Sequence, residues 1–269
     1  MTNGTVEYTQ KDGVATVVFT NPPKGFFTSD MAAQTGEILT ELENDDAVRA
    51  IVFTGGLEDV FIRHFSVEEL IETAGALEAR AKKGLVFPRF AHTDLRQLWE
   101  RLDNNRKPTI AAINGYCGGG GCELALACDI RLAGPGNYTI GQMEILVGLL
   151  PGAGGTARLA RIVGPGKALE WVLRGRTFYP QEAAAEGLVH RYIDGDVRQA
   201  AETMAQEFVD KPAAALAAIK QVVRSSWGKT TAEGVEEEGD LFANLVAFDK
   251  QTLAMMEAYV AGGHQLKKF

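Results

Sequence analysis

Two glutamates stand where a carboxyl group could move protons. Glu123 follows four consecutive glycines, Gly118 to Gly121, in the stretch AAINGYCGGGGCELALACDI (residues 111–130), and it lies one turn inside a helix that the apolar pattern predicts to open at those glycines. Glycines there let a ligand approach the backbone, and the free N–H groups of a helix start favour negative charge, so the turn can hold a developing oxyanion. Glu144 is the lone acid of the apolar run IGQMEILVGLLPGAGGT (residues 140–156), ahead of a second glycine turn that opens another helix. Apolar surroundings raise a carboxyl's pKa, which suits a group that must take and give protons near neutrality. Taken singly, either acid reads as an ordinary helix-end or loop acid. The pair, each beside a glycine turn, points to acid/base chemistry.

Rival readings of the same residues fit less well. A phosphate-binding loop needs Lys followed by Ser or Thr after its last glycine, whereas Cys122-Glu123 follows here and would repel phosphate. A dinucleotide fingerprint would have to open the first strand-helix unit of the chain. The three cysteines, Cys117, Cys122 and Cys128, have no histidines at zinc spacing and are odd in number, so they read as buried thiols rather than as metal ligands or a disulfide framework. A net charge of −8 argues against binding a nucleic-acid backbone. The N-terminal residues lack the basic start and apolar run of a leader, and no apolar stretch is long enough to span a bilayer, so a cytoplasmic protein without a membrane partner is the expectation.

The elements that must position the glutamates follow from periodicity. Residues 13–19 (GVATVVF) read as a strand between Asp12-Gly13 and Asn21-Pro22-Pro23; residues 31–42 carry helical spacing; residues 47–53 (AVRAIVF) and 108–113 (PTIAAI) are further short buried strands. Strands alternating with helices predict an α/β fold on a mainly parallel sheet. Residues 67–103 read as helical and partly exposed apart from Pro88, with Glu78 to Lys83 forming a solvated face. Helical spacing dominates from 197 to 259, with Glu236-Glu237-Glu238 on its surface. This divides the chain into a core over residues 1–195 and a helical region over residues 196–269.

The long, ordered stretches AAINGYCGGGGCELALACDI and GQMEILVGLLPGAGGTARL resemble the crotonase superfamily, and within it are most similar to enoyl-CoA hydratases; AVRAIVFTGG and FVDKPAAALAAIKQVV extend the likeness over most of the chain. The resemblance implies a crotonase-like spiral of repeated ββα and βαβ units followed by a C-terminal helical trimerisation region, assembling as a homotrimer or homohexamer. It implies an acyl-CoA thioester as substrate, with no cofactor beyond the coenzyme A that the substrate carries, and no metal. The thioester oxygen would sit between the backbone N–H groups of Phe65 and Gly120, and Glu123 and Glu144 would be the acid/base pair that adds water across the α,β double bond. Substrate contacts are expected at Phe61, Arg63, His64, Gly119 and Tyr259.

The chain also departs from that pattern. His64 stands where the family's first oxyanion turn has glycine, and Pro22-Pro23-Lys24-Gly25-Phe26-Phe27 replaces its usual segment after the first strand. The two glutamates are about one residue farther apart than usual, with the extra residue expected near Pro135-Gly136-Asn137. Gly262 occupies the place of a C-terminal lysine that contacts CoA phosphates, and Arg63 is the candidate substitute. Isomerisation of a 3-enoyl-CoA, thioester or C–C hydrolysis, and a non-catalytic CoA-binding scaffold stay open as alternatives to hydration.

Overall fold

A computed structural model describes residues 4–83 and 94–265. The chain starts with a hairpin, β1 (Thr5–Lys11) and β2 (Val14–Thr20), closed at Asp12-Gly13, where both residues have positive φ, as the two-residue hairpin turn matching strand twist requires. Helix α1 (Ser29–Asn44) is capped by the Thr28 hydroxyl accepting from Met31 N, and leads into β3 (Ala50–Gly55) and the short β4 (Asp59–Ile62). After α2 (Val67–Lys82) and α3 (Asp94–Asp103) come β5 (Thr109–Ile113), β6 (Gly115–Gly118), α4 (Gly120–Ala127), β7 (Ile130–Ala133) and β8 (Ile140–Gly141). Part of the helix expected over 67–103, residues 84–93, lies outside the described residues. A 3-10 turn at Glu144–Val147 precedes α5 (Gly155–Val163), α6 (Pro165–Arg174), β9 (Thr177–Phe178), α7 (Pro180–Ala185) and β10 (Arg191–Tyr192), and the described chain ends in α8 (Val197–Val209), α9 (Ala213–Ser225), α10 (Thr231–Phe248) and α11 (Lys250–Ala261).

The strands form two sheets. One runs in the order β1-β2-β3-β5-β7-β10, parallel from β2 onward; the other runs β4-β6-β8-β9, parallel from β4 to β8. Central strands covered on both faces need apolar residues at every position rather than alternating ones, and β5 (TIAAI) is buried throughout. One core gathers Phe19, Phe27, Phe53, Phe61, Leu39 and Trp99 between the sheets and helices. A second lies on the opposite face of the larger sheet, where Val14, Val52, Ile110 and Leu132 meet Val197, Ala201 and Ala205 of α8.

Helix α8 therefore packs as part of the sheet core, although its sequence opens the helical region, and α9 is tied to that core by Arg224 and Lys220. The large apolar side chains Ile219, Val223, Trp227, Phe242 and Phe248 of α9, α10 and the turn between them are exposed. Among the described residues no helix is long and apolar enough to cross a membrane. The three cysteines are free and buried, as their sequence context suggests.

Candidate active site

The second sheet brings the two glycine-containing segments together. β4 and β6 run parallel, with Val60 opposite Tyr116 and Ile62 opposite Cys117. Past the end of β4, the turn Arg63-His64-Phe65-Ser66 is held from both sides. Arg63 N donates to Gly25 O (2.9 Å), Phe27 N to His64 O (2.8 Å), Ser66 N to Phe27 O (2.8 Å) and Gly118 N to Arg63 O (3.0 Å).

Gly121 lets α4 dock onto β4, since a Cβ there would collide with the Ile62 carbonyl oxygen. Gly119 has φ 48° and ψ −122°, a conformation open to glycine and strained for other residues. With these two turns in contact, a Cβ built on Gly120 would lie 3.5 Å from Phe65 N. Neither the Phe65 nor the Gly120 N–H donates to an acceptor among the described residues. Two adjacent unpaired amides at a helix start suit a negatively charged oxygen.

Glu123, 3% exposed, turns its carboxylate toward the next helix start. Its Oε1 accepts from Ala153 N (2.7 Å) and Gly155 N (2.9 Å), at the opening of α5. Gly155 must lack a side chain, because a Cβ would press on Glu123 Cγ and the Gln142 amide. Burial pushes the Glu123 carboxyl up from its ordinary pKa; the Gly155 and Ala153 amides, and more weakly the Arg158 charge, pull it part of the way back.

Glu144 opens the 3-10 turn, and its carboxyl lies beside Gly119, where a Cβ would come within 3.4 Å of Oε1. Burial is the main cause that raises its pKa to about 7; its own backbone amide opposes the rise, the nearby Glu123 charge adds to it, and the Met143 amide opposes it again. A carboxyl with a pKa of about 7 is present in both protonated and ionised forms near neutrality, so it can give or take a proton there.

The sequence reasoning passed over Gln142, which is 2% exposed and sits between the two acids. With its amide nitrogen facing Glu144, it donates to Oε1 at 2.7 Å and Oε2 at 3.1 Å. The available signal was its place as a polar residue two positions before Glu144 in an otherwise apolar run.

The expected substrate contacts divide. His64 lies over the Phe26 ring, centroids 4.6 Å apart, with Nδ1 2.7 Å from Phe65 O; when Nδ1 carries the proton, Nε2 is left as an acceptor. Its Cβ borders Gly119. Arg63 stacks on Tyr116, 4.8 Å from the ring centroid, and donates through Nε to Lys24 O (3.0 Å). Both side chains flank the Phe65 and Gly120 amides.

Phe61 does not join them: it is 1% exposed and packs edge-on against Phe19 in the core, so it supports β4 from behind. The alternation of a strand puts neighbouring side chains on opposite faces, and the inward one is Phe61. Tyr259 lies on α11 with its ring against His264, and among the described residues no hydrogen bond or ring contact joins it to the other site residues.

The chain that builds this arrangement has counterparts among known proteins over most of its length. The chain is 38% identical to a probable enoyl-CoA hydratase of Rhizobium meliloti over 228 residues, covering 83% of this chain and 81% of that one. It is 31% identical to the short-chain-enoyl-CoA hydratase of Clostridium acetobutylicum over 249 residues, 91% of each chain. Among solved structures it superposes on DspI of Pseudomonas aeruginosa with a TM-score of 0.85 at 28% identity, covering 98% of this chain and 96% of that one. The enoyl-CoA hydratase/isomerase family model matches residues 9–264. Since that match takes in both glycine turns and both glutamates, the chain belongs to the enoyl-CoA hydratase/isomerase family.

Proposed function

We propose that the protein is an enoyl-CoA hydratase, in which Glu123 and Glu144 handle the protons and the Phe65 and Gly120 amides hold the thioester oxygen. The observation that carries this reading is the pair of carboxyls whose pKa burial raises, Glu123 and Glu144, at the glycine turn that brings the two unpaired donors Phe65 N and Gly120 N together. Hydration needs one carboxylate to take a proton from water and one carboxylic acid to give a proton to carbon, and two carboxyls of raised pKa, one ionised and one protonated, supply both.

The water oxygen bonds to the β-carbon as its proton passes to the ionised carboxyl. The electron pair of the double bond moves toward the thioester, where its charge on oxygen is met by the two N–H groups. The α-carbon then takes a proton from the acidic partner, so the elements of one water are added. CoA enters as part of the substrate. Arg63, Lys24 and the stacked Phe26-His64 surface beside the oxyanion turn support a contact with its charged, aromatic end.

The exposed apolar side chains of α9 and α10 border a cleft of about 1280 Å³ lined by Trp227, Leu241, Leu245 and Phe248, which supports assembly as a homotrimer or homohexamer in which copies of the chain cover this face. Incubation with crotonyl-CoA should give the 3-hydroxyacyl-CoA with loss of the conjugated-thioester absorbance. Release of free CoA, or turnover of a 3-enoyl-CoA alone, would replace hydration by hydrolysis or isomerisation. Binding without any turnover would leave a scaffold.

A further inference from the structure

The glycine turn that grips Glu123 is itself gripped. Arg158, one turn into α5 and 9% exposed, folds its guanidinium back across Gly154 and donates from Nη1 to the Ala153 carbonyl at 2.7 Å. A Cβ on Gly154 would collide with that Nη1, and the residue takes φ 97° to leave the space open. The rest of the guanidinium is fixed by Asp103 at the end of α3, with Nε 3.2 and 3.0 Å from its two oxygens and Nη2 2.5 Å from Oδ2. Asp103 accepts in turn from Arg224 of α9 at 2.6 Å, and Arg224 also reaches Asp129, where Lys220 is the second partner.

We propose that Arg158, aimed by Asp103, is a positioning residue for Glu123: by holding the Ala153 carbonyl it turns the Ala153 and Gly155 amides onto Glu123 Oε1. Ala153 is the shared residue, with its carbonyl in the peptide to Gly154 and its N–H in the peptide from Gly152. Its carbonyl is taken by Arg158, and the amide nitrogen of the same residue points at Glu123, so release of one end loosens the other. Bidentate pairing to a carboxylate leaves Arg158 little freedom, which is why the fork matters as well as the charge. A misaimed carboxyl of the order of an ångström typically costs about 10²-fold in rate. The charged groups that bear on Glu123 are Glu144 from the 3-10 turn and Arg158 from α5; behind Arg158 stand Asp103 of α3 and Arg224 of α9.

This inference rests on the hydratase reading for its rate assay and not for its direct one. Arg158→Gln should lower kcat about ten- to a hundredfold, with KM changed far less. Because a nearby positive charge is lost, the acid limb of the pH profile should move to higher pH. Asp103→Asn leaves the Arg158 charge less compensated and should move the same limb to lower pH. Arg158→Lys keeps the charge without the fork, and should restore the position of the limb while leaving kcat reduced.

A purely structural role would lower the stability of all three variants and shift no limb. The direct assay is difference infrared spectroscopy of the substrate-free enzyme, following the carboxylic band that Glu123→Gln abolishes. Its titration midpoint should rise in Arg158→Gln and fall in Asp103→Asn. Equal midpoints in wild type and both variants would overturn the proposal. If the wild type fails to hydrate crotonyl-CoA while the midpoints shift as stated, the hydratase reading falls and the positioning role stands. Should Arg158→Gln not fold, Arg158→Lys and Asp103→Asn decide the question by the same two readouts.

Discussion

Replacing Glu144 by glutamine should remove activity and strengthen the fold at once, and the size of the second effect follows from the carboxyl's surroundings. Burial raises its pKa from an ordinary 4.5 to about 7. Between those values the folded chain holds a proton that the unfolded chain has released, so stability falls as pH rises through the window, and the deficit is complete above pH 7. The full rise corresponds to about 3 kcal/mol. Because the carboxyl is partly open to solvent, about 1–2 kcal/mol is the reasonable expectation.

Glutamine carries no charge to bury and can still accept from Gln142. The variant should thus match the wild type near pH 4.5, and exceed it by about 1–2 kcal/mol at pH 8, or about 2–6 °C in Tm. Urea unfolding at the two pH values and at fixed protein concentration measures this. An equal difference at both values, or a variant less stable at pH 8, would refute the idea that the Glu144 charge is held against a burial penalty. The accompanying loss in kcat should reach about 10²-fold or more.

Further outcomes follow from the same geometry. Glu123→Gln should also reduce kcat by about 10²-fold or more while circular dichroism and CoA binding persist; near-normal hydration would point to the isomerase or hydrolase alternatives. Phe65→Pro removes one of the two unpaired donors and should cost about 10² to 10³ in kcat, whereas Phe65→Ala should keep much of the activity, both measured beside CoA affinity. Arg63→Ala should raise KM for the acyl-CoA more at low than at high ionic strength, since charge pairing is screened by salt; an unchanged KM at low salt rejects the phosphate contact. Gly121→Ala should destabilise the fold by about 1–3 kcal/mol or more in denaturant titration, because its Cβ meets the Ile62 backbone rather than a movable side chain.

How far the sequence reveals this site depends on how local each contact is. Glu123 and Glu144 are legible because each stands inside a continuous motif whose glycines announce a backbone turn. The strand at residues 14–20 and the buried β5 are legible because unbroken β-branched and apolar runs have few other uses. β1 is less so: its alternation of Thr, Val, Glu and Tyr becomes a strand only through pairing with β2. Phe61 was read as a substrate contact from its place in a motif, and only the pleat of β4 decides that it faces Phe19. Arg158 and Asp103 are beyond sequence reasoning for a different cause. Their residue types suit any exposed helix, and the bond that gives them meaning joins positions far apart in the chain.

The parallel pairing of β4 with β6 also bears on how such an enzyme can change. The Phe65 and Gly120 amides belong to backbone whose spacing is set by the sheet and by Gly121, not by the side chains at positions 63 to 65. Those side chains can drift without displacing the donors, and this chain carries a histidine and an arginine there. On the proposed reading, the loop after β4 is a rewritable rim around a backbone-built centre: selection, or a designer screening libraries at Arg63, His64 and Phe65, can retune which thioester is admitted while the machinery that activates it keeps its place.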